Sequence, residues 1–148
     1  MRIWLVSAAA LVTACGGGGG PKGPEVAAEA SSVQAAQAFM RAAKDSNLTR
    51  MGQLWGTSHG ASATTHRPPD YERRLQVLQA YLRGDSARVA SDVPIQGDAN
   101  RRRLVVSLYR SGCAKQVAMV TIRAKVGWIV NSVDLTSAGN PARPCEPG

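Results

Sequence analysis

Apolar positions recur at helical spacing in the first half of the chain and alternate in the second. Val33, Ala36, Met40 and Ala43 keep the rhythm of one helix face, with Phe39 adjacent. Residues 25–44 therefore read as a helix. Ser31 followed by Gln34 fits a capping box, which puts the regular part from Ser31 onward. Asn47 is placed to cap a second, shorter helix carrying Leu48, Met51, Leu54 and Trp55. Gly52 lowers its helical propensity and Gly56 is placed to end it. Residues 57–69 have no period, are rich in Ser, Thr and Gly, and stop at Pro68-Pro69, so they read as a loop. A third helix starts at Asp70. Tyr71, Leu75, Leu78 and Leu82 form its apolar stripe, Glu72, Arg73, Gln76 and Gln79 face away, and Gly84 stops it.

Past Gly84 the period changes to two. Residues 88–96 read as a strand that Pro94 assigns to an edge, and residues 97–100 as the turn after it. Leu104, Val106 and Leu108 alternate with Val105, Ser107 and Tyr109, which predicts a strand broken at Ser111-Gly112. Ala118, Val120 and Ile122 are expected as the inner set of the next strand. Lys125, Val126 and Gly127 form a reversal. Residues 128–135 are expected as the last strand, with Ile129, Val133 and Leu135 on one face, before a coil tail with three prolines. Helices first and strands after them predict an α+β fold, with N-terminal helices packed on a curved antiparallel sheet of three to four strands.

The first fourteen residues follow another pattern. Met1-Arg2 is a small basic region, and residues 3–12 are a ten-residue apolar run. A helix spanning a bilayer needs roughly 20 apolar residues, so the run reads as an export signal. It closes on Val12-Thr13-Ala14-Cys15, which resembles the lipobox of bacterial lipoproteins. That resemblance implies cleavage between Ala14 and Cys15, a diacylglyceryl group on the Cys15 thiol and acylation of the new amine, palmitate being a typical chain. Gly16 lacks the aspartate that retains many lipoproteins at an inner membrane, which implies the outer membrane in a two-membrane bacterium, on its periplasmic or surface face. Five glycines and Pro21-Lys22-Gly23-Pro24 then form a tether. About ten residues of such coil span roughly 17 Å. The expected organisation is a signal at 1–14, a lipidated tether at 15–24, an α+β domain at 25–136 and a tail at 137–148.

Composition adds charge and cysteine chemistry. The 148 residues carry a formal charge of +8, which becomes +7 if Arg2 leaves with the signal. Arginines are scattered along the chain, so an arginine-biased surface is the simpler reading and an anionic partner the sharper one. With Cys15 lipidated, Cys113 and Cys145 remain as an even pair, and an oxidising envelope makes a disulfide the natural expectation. No C-x-x-C or metal-ligand spacing occurs, so no metal and no cofactor are expected.

The helical half from Val33 to Trp55, together with the terminal hairpin carrying Gly127-Trp128-Ile129-Val130 and Val133-Asp134-Leu135, resembles the nuclear-transport-factor-2-like (cystatin-like) superfamily. The resemblance covers about residues 26–135. It implies a helix-covered, strongly bent sheet forming a cone, whose enzymes place acidic or histidine residues inside. The loop histidines His59 and His66 read as solvated, and no catalytic residue is assigned; a His/Asp base of the polyketide-cyclase-like type, with His59, His66 or Asp70 as candidates, is the alternative. The Arg101-Arg102-Arg103 triplet reads as a solvated run, with lipid phosphate as the alternative. No aromatics interleave with it, so no nucleic acid is expected as a partner. Trp55, Trp128 and Tyr81 read as core packing, with pocket lining as the alternative. The leading expectation is a non-enzymatic envelope lipoprotein, held to the membrane by its lipid and presenting a domain to an envelope protein or a small apolar ligand. A pocket enzyme and a purely structural spacer are the alternatives.

Overall fold

A computed structural model describes residues 28–147. The signal, Cys15 and the glycine tether lie outside the described residues.

Helix α1 (Ser32–Lys44) starts where Ser31 Oγ accepts the Gln34 amide at 3.2 Å. The chain before it is extended and not helical, as Glu29 exchanges two backbone hydrogen bonds with Trp128. Helix α1 buries Ala35, Ala36, Phe39, Met40, Ala42 and Ala43, a face wider than the stripe in the sequence. Helix α2 (Leu48–Leu54) is capped by Asn47, whose Oδ1 accepts the Arg50 amide at 2.9 Å. Both caps sit where the sequence puts them.

The expected loop of residues 57–69 carries structure of its own. Strands β1 (Gly56–Thr57) and β2 (Gly60–Ala61) form a two-stranded hairpin, followed by the single turn α3 (Ser62–Thr65). The hairpin depends on two glycines in close approach, since a Cβ on Gly56 would fall 2.2 Å from the Gly60 carbonyl oxygen.

Helix α4 (Tyr71–Leu82) buries Leu75, Leu78 and Leu82. Asp70 occupies its N-cap position but does not cap it; its carboxylate accepts from Arg74 Nε instead. At the other end, a Cβ on Gly84 would fall 2.6 Å from Leu108 Cδ1 and 2.7 Å from the Tyr109 carbonyl. Glycine is what lets the chain pass this close to the sheet.

Four antiparallel strands follow, in the order β3 (Ser86–Ile95), β4 (Asp98–Arg110), β5 (Cys113–Ala124) and β6 (Gly127–Val133). Strand β3 is an edge strand carrying Pro94, as expected. The turn into β4 is tighter than residues 97–100, because Asp98 already pairs with Ile95. Leu104, Val106 and Leu108 point into the core. The Arg101-Arg102-Arg103 triplet lies inside β4, a central strand, and not in a loop: Arg102 faces the helices and binds Asp92 at 2.7 Å, while Arg101 and Arg103 are exposed.

Strand β5 reverses the expected phase. Val117, Met119 and Thr121 are buried under the helices, while Ala118 and Val120 are only half-buried on the other face. Both faces of this strand are apolar, so alternation alone does not choose between them, and a one-residue slip swaps them. On β6, Val120 pairs with Ser132 and Thr121 with Val130, leaving Asn131 as an extra, bulged residue. The bulge puts Val130 and Val133 with the main core. Ile129 therefore faces away from Val133, contrary to expectation, and joins Ile122 and Ala124 in a small cluster covered by Ala28.

The last strand ends at Val133, and Leu135 begins the short helix α5 (Leu135–Ala138). There the Ala118 carbonyl accepts the Asp134 amide at 2.8 Å, and the Ala118 amide donates to Ser137 Oγ at 3.0 Å. The tail thus takes over the edge of β5 where β6 stops. Cys113 and Cys145 are bonded, with their Cα atoms 5.4 Å apart.

Candidate ligand-binding cleft

One cleft follows from a stripe of α4 laid beside the bulged end of β6. Asp70, Arg73, Arg74, Val77 and Leu78 recur at i, i+3, i+4, i+7 and i+8, so they share one helix face. Opposite them stand Asn131, Ser132, Val133 and Leu135, and Trp55 completes the lining, enclosing a volume of about 590 Å³. The floor is apolar and the rim carries the charges.

Trp55 is fixed from two sides. It forms a parallel bridge with Val130, and its carbonyl accepts the Ser62 amide at 2.7 Å. Its indole Nε1 is buried and has no acceptor among the described residues. A buried indole N–H ordinarily finds a partner. The neighbouring Asn131 is already committed, since its Nδ2 donates to the Gly56 carbonyl at 2.8 Å and its Oδ1 accepts from Arg101. The bulge thus ties the cleft wall to the small hairpin.

The two arginines on the rim differ. Arg74 is paired with Asp70 at 3.0 Å, an exposed i,i+4 contact of little energetic weight. Arg73 is exposed and takes part in no ion pair among the described residues. The lining therefore offers an apolar floor and a free guanidinium, while the indole nitrogen itself is closed off from the cleft. That set suits a molecule with an apolar body and an anionic or carbonyl oxygen.

The sequence candidates are placed unevenly. Asp70 reaches the cleft rim, held by Arg74. His59 is exposed at the hairpin turn, and His66 is exposed at the end of α3, its ring edge-on to Tyr71 at 6.1 Å. Neither histidine lines the cleft. Burial, reinforced by the Glu72 carboxylate that accepts its O–H, raises the Tyr71 phenol above its ordinary range. Among the described residues no group of three His, Cys, Asp or Glu side chains is placed to hold a metal ion, and no helix is long and apolar enough to cross a membrane. Trp55 appears in the sequence as a core residue with pocket lining as its alternative, and the structure gives it both roles. Arg73 carries no sequence signal beyond a polar position on a helix.

A second cleft of about 340 Å³ lies between the C-terminal end of α1 and the start of β3, with Arg41 and Lys44 on its rim. Lys44 Nζ is engaged by the Asp85 carbonyl at 2.7 Å, and this cleft presents no buried donor without a partner.

One further polar residue, Arg110, belongs to the frame. It is 7% exposed, and its Nε and Nη1 donate to the carbonyls of Arg83 and Ala138 at 2.9 and 3.3 Å. Those carbonyls close α4 and α5, where helix dipoles present partial negative charge. Burial lowers the Arg110 pKa from its ordinary value. Its Nη2 has no partner among the described residues.

Comparison with protein-family models, with curated proteins and with solved structures finds no match to this chain.

Proposed function

We propose that this chain is a lipid-anchored protein of the bacterial envelope whose α+β domain binds a small amphipathic anion in the cleft between α4 and β6. The exposed Arg73 guanidinium, in no ion pair among the described residues and set over a cleft walled by Trp55, Val77, Leu78 and Val133, carries the binding part of this reading. The Val12-Thr13-Ala14-Cys15 tetrad carries the anchor. Helices covering one face of an antiparallel sheet also fit the cystatin-like cone, with this cleft at its mouth. The acid–base alternative has Asp70 alone in the cleft, already paired with Arg74. Binding uses more of what the lining offers.

A titration with anilinonaphthalene sulfonate, an apolar body with one anionic group, tests the cleft. Binding should weaken about tenfold in Arg73→Gln, which removes a charge-assisted contact, and about fivefold in Trp55→Phe, which keeps an aromatic side chain but shortens the apolar wall. Affinity unchanged in both variants sinks the reading. For the anchor, Cys15→Ala should move the protein out of the detergent phase on partitioning, and unchanged partitioning rejects lipidation.

A further inference from the structure

The chain enters the folded domain at a defined place. Glu29 exchanges both backbone hydrogen bonds with Trp128, at 3.0 and 2.7 Å. Its side chain accepts from Arg50 at 2.7 Å. Ala28 packs on Ile122, Ala124 and Ile129. Gly127 makes room for the crossing: a Cβ there would fall 2.6 Å from the Glu29 carbonyl oxygen and 3.2 Å from Ala28 Cβ. Its φ of +140° also disfavours any other residue. Residues 28 and 29 are thus clamped against the base of the turn joining β5 to β6.

That turn lies directly beside Ala28 and Glu29, the first described residues. Arg123, at the end of β5, and Lys125, in the turn, are exposed and form no ion pair among the described residues. Between them and Gly127, Val126 stands 61% exposed, the most exposed large apolar side chain among the described residues. No Asp or Glu occurs between residues 99 and 133, so the strands feeding this turn add no negative charge of their own. Two cations leading into an outward apolar tip match an anionic headgroup layer over an acyl boundary. Twelve residues, 16–27, lie between Cys15 and Ala28, and a coil of that length spans roughly 20 Å. An anchor at Cys15 keeps the turn within that reach of the bilayer.

We infer that the Arg123–Lys125–Val126 tip is a docking surface for anionic phospholipid, which sets the domain on the membrane by the β5–β6 turn. The inference rests on the lipid-anchor reading. It leaves the α4–β6 cleft to one side: the cleft residue Ser132 is four positions along β6 from Trp128, about 13 Å of strand.

Amide exchange on the full mature chain, reconstituted in phosphatidylcholine vesicles with and without phosphatidylglycerol, tests it. Exchange at residues 125–127 should slow on the anionic vesicles only, by about fivefold for each cation engaged. The slowing should vanish in high salt and in Arg123→Gln/Lys125→Gln, and persist in Lys125→Arg. Equal exchange on both vesicle types, with acyl chains found on Cys15 by mass analysis, overturns the surface and leaves the anchor standing. If Cys15 is found unmodified the anchor reading fails, and flotation of the same chain decides the surface. Co-flotation with anionic vesicles alone then supports it, and no flotation overturns it.

Discussion

The two ends of the sheet are closed by different chemistry. At the end marked by Ser111 and Gly112, a disulfide joins the start of β5 to the tail, and Arg110 gathers the last carbonyls of α4 and α5. Asp85 adds a bond from its carboxylate to the Ser111 amide at 2.8 Å. At the opposite end, around the β3–β4 and β5–β6 turns, closure is by ion pairs and one backbone bridge. There Arg102 binds Asp92, which also accepts from Ser32 Oγ at 2.7 Å, near the N-terminus of α1 where negative charge is favoured. Glu29 binds Arg50 and Trp128. One end is locked covalently and by a desolvated cation. The other is held by contacts that salt and water weaken, and it is the end that receives the N-terminal segment. A domain built this way keeps its scaffold fixed at one end while leaving the other adjustable at a surface.

This asymmetry makes an ordered set of predictions. Replacing both Cys113 and Cys145 by Ser should cost roughly 3–4 kcal/mol in the chain-entropy account of a loop this long, read as a fall in denaturation midpoint. A loss below 1 kcal/mol would mean that the tail holds its place without the bridge. Arg110→Met keeps the aliphatic stem and removes the guanidinium, leaving two helix-end carbonyls without donors. The expected loss is about 1–3 kcal/mol by urea denaturation. No loss would mean that the uncompensated charge costs as much as its two bonds return. Glu29→Gln, at the adjustable end, should cost under about 1 kcal/mol, because the pair is partly exposed. Its loss should shrink as salt is added to the wild type, whereas the effect of the two cysteine replacements should not change with salt. A larger loss at Glu29 than at Arg110 would reverse the ranking of the two ends.

Much of this frame is legible in the sequence because single residues carry it. Ser31 and Asn47 mark the helix starts by their side-chain oxygens, and Leu75, Leu78 and Leu82 sit one above another only on a helix. Pro94 assigns the edge strand, and the two cysteines left after Cys15 predict their own pairing. What stays hidden depends on partners far along the chain. The phase of β5 cannot be read where Val117, Ala118, Met119 and Val120 are apolar in succession. The Asn131 bulge has no local signature, and the bond its side chain makes is to Gly56, seventy-five residues away. The small hairpin after α2 depends on a clash avoided between Gly56 and Gly60, which composition does not announce. The cleft is hidden for the same reason. Arg73 looks like any solvated helix arginine until β6 is set opposite it. His59 and His66 stand out chemically, yet lie on surfaces that the cleft does not use.

The sulfur link has a consequence for how the chain matures. Strand β5 loses its hydrogen-bonded neighbour at Val133, and the backbone of Ala118 is satisfied by Asp134 and Ser137 in place of another strand. The segment supplying those groups is retained from its far side by Cys145. A freshly made copy with reduced thiols holds this flank by weak bonds alone, leaving a bare β-edge open to sticking against its neighbours. Oxidation is then the step that fixes the cover on this flank, so crowding before it favours clumping through the β5 edge more than crowding after it.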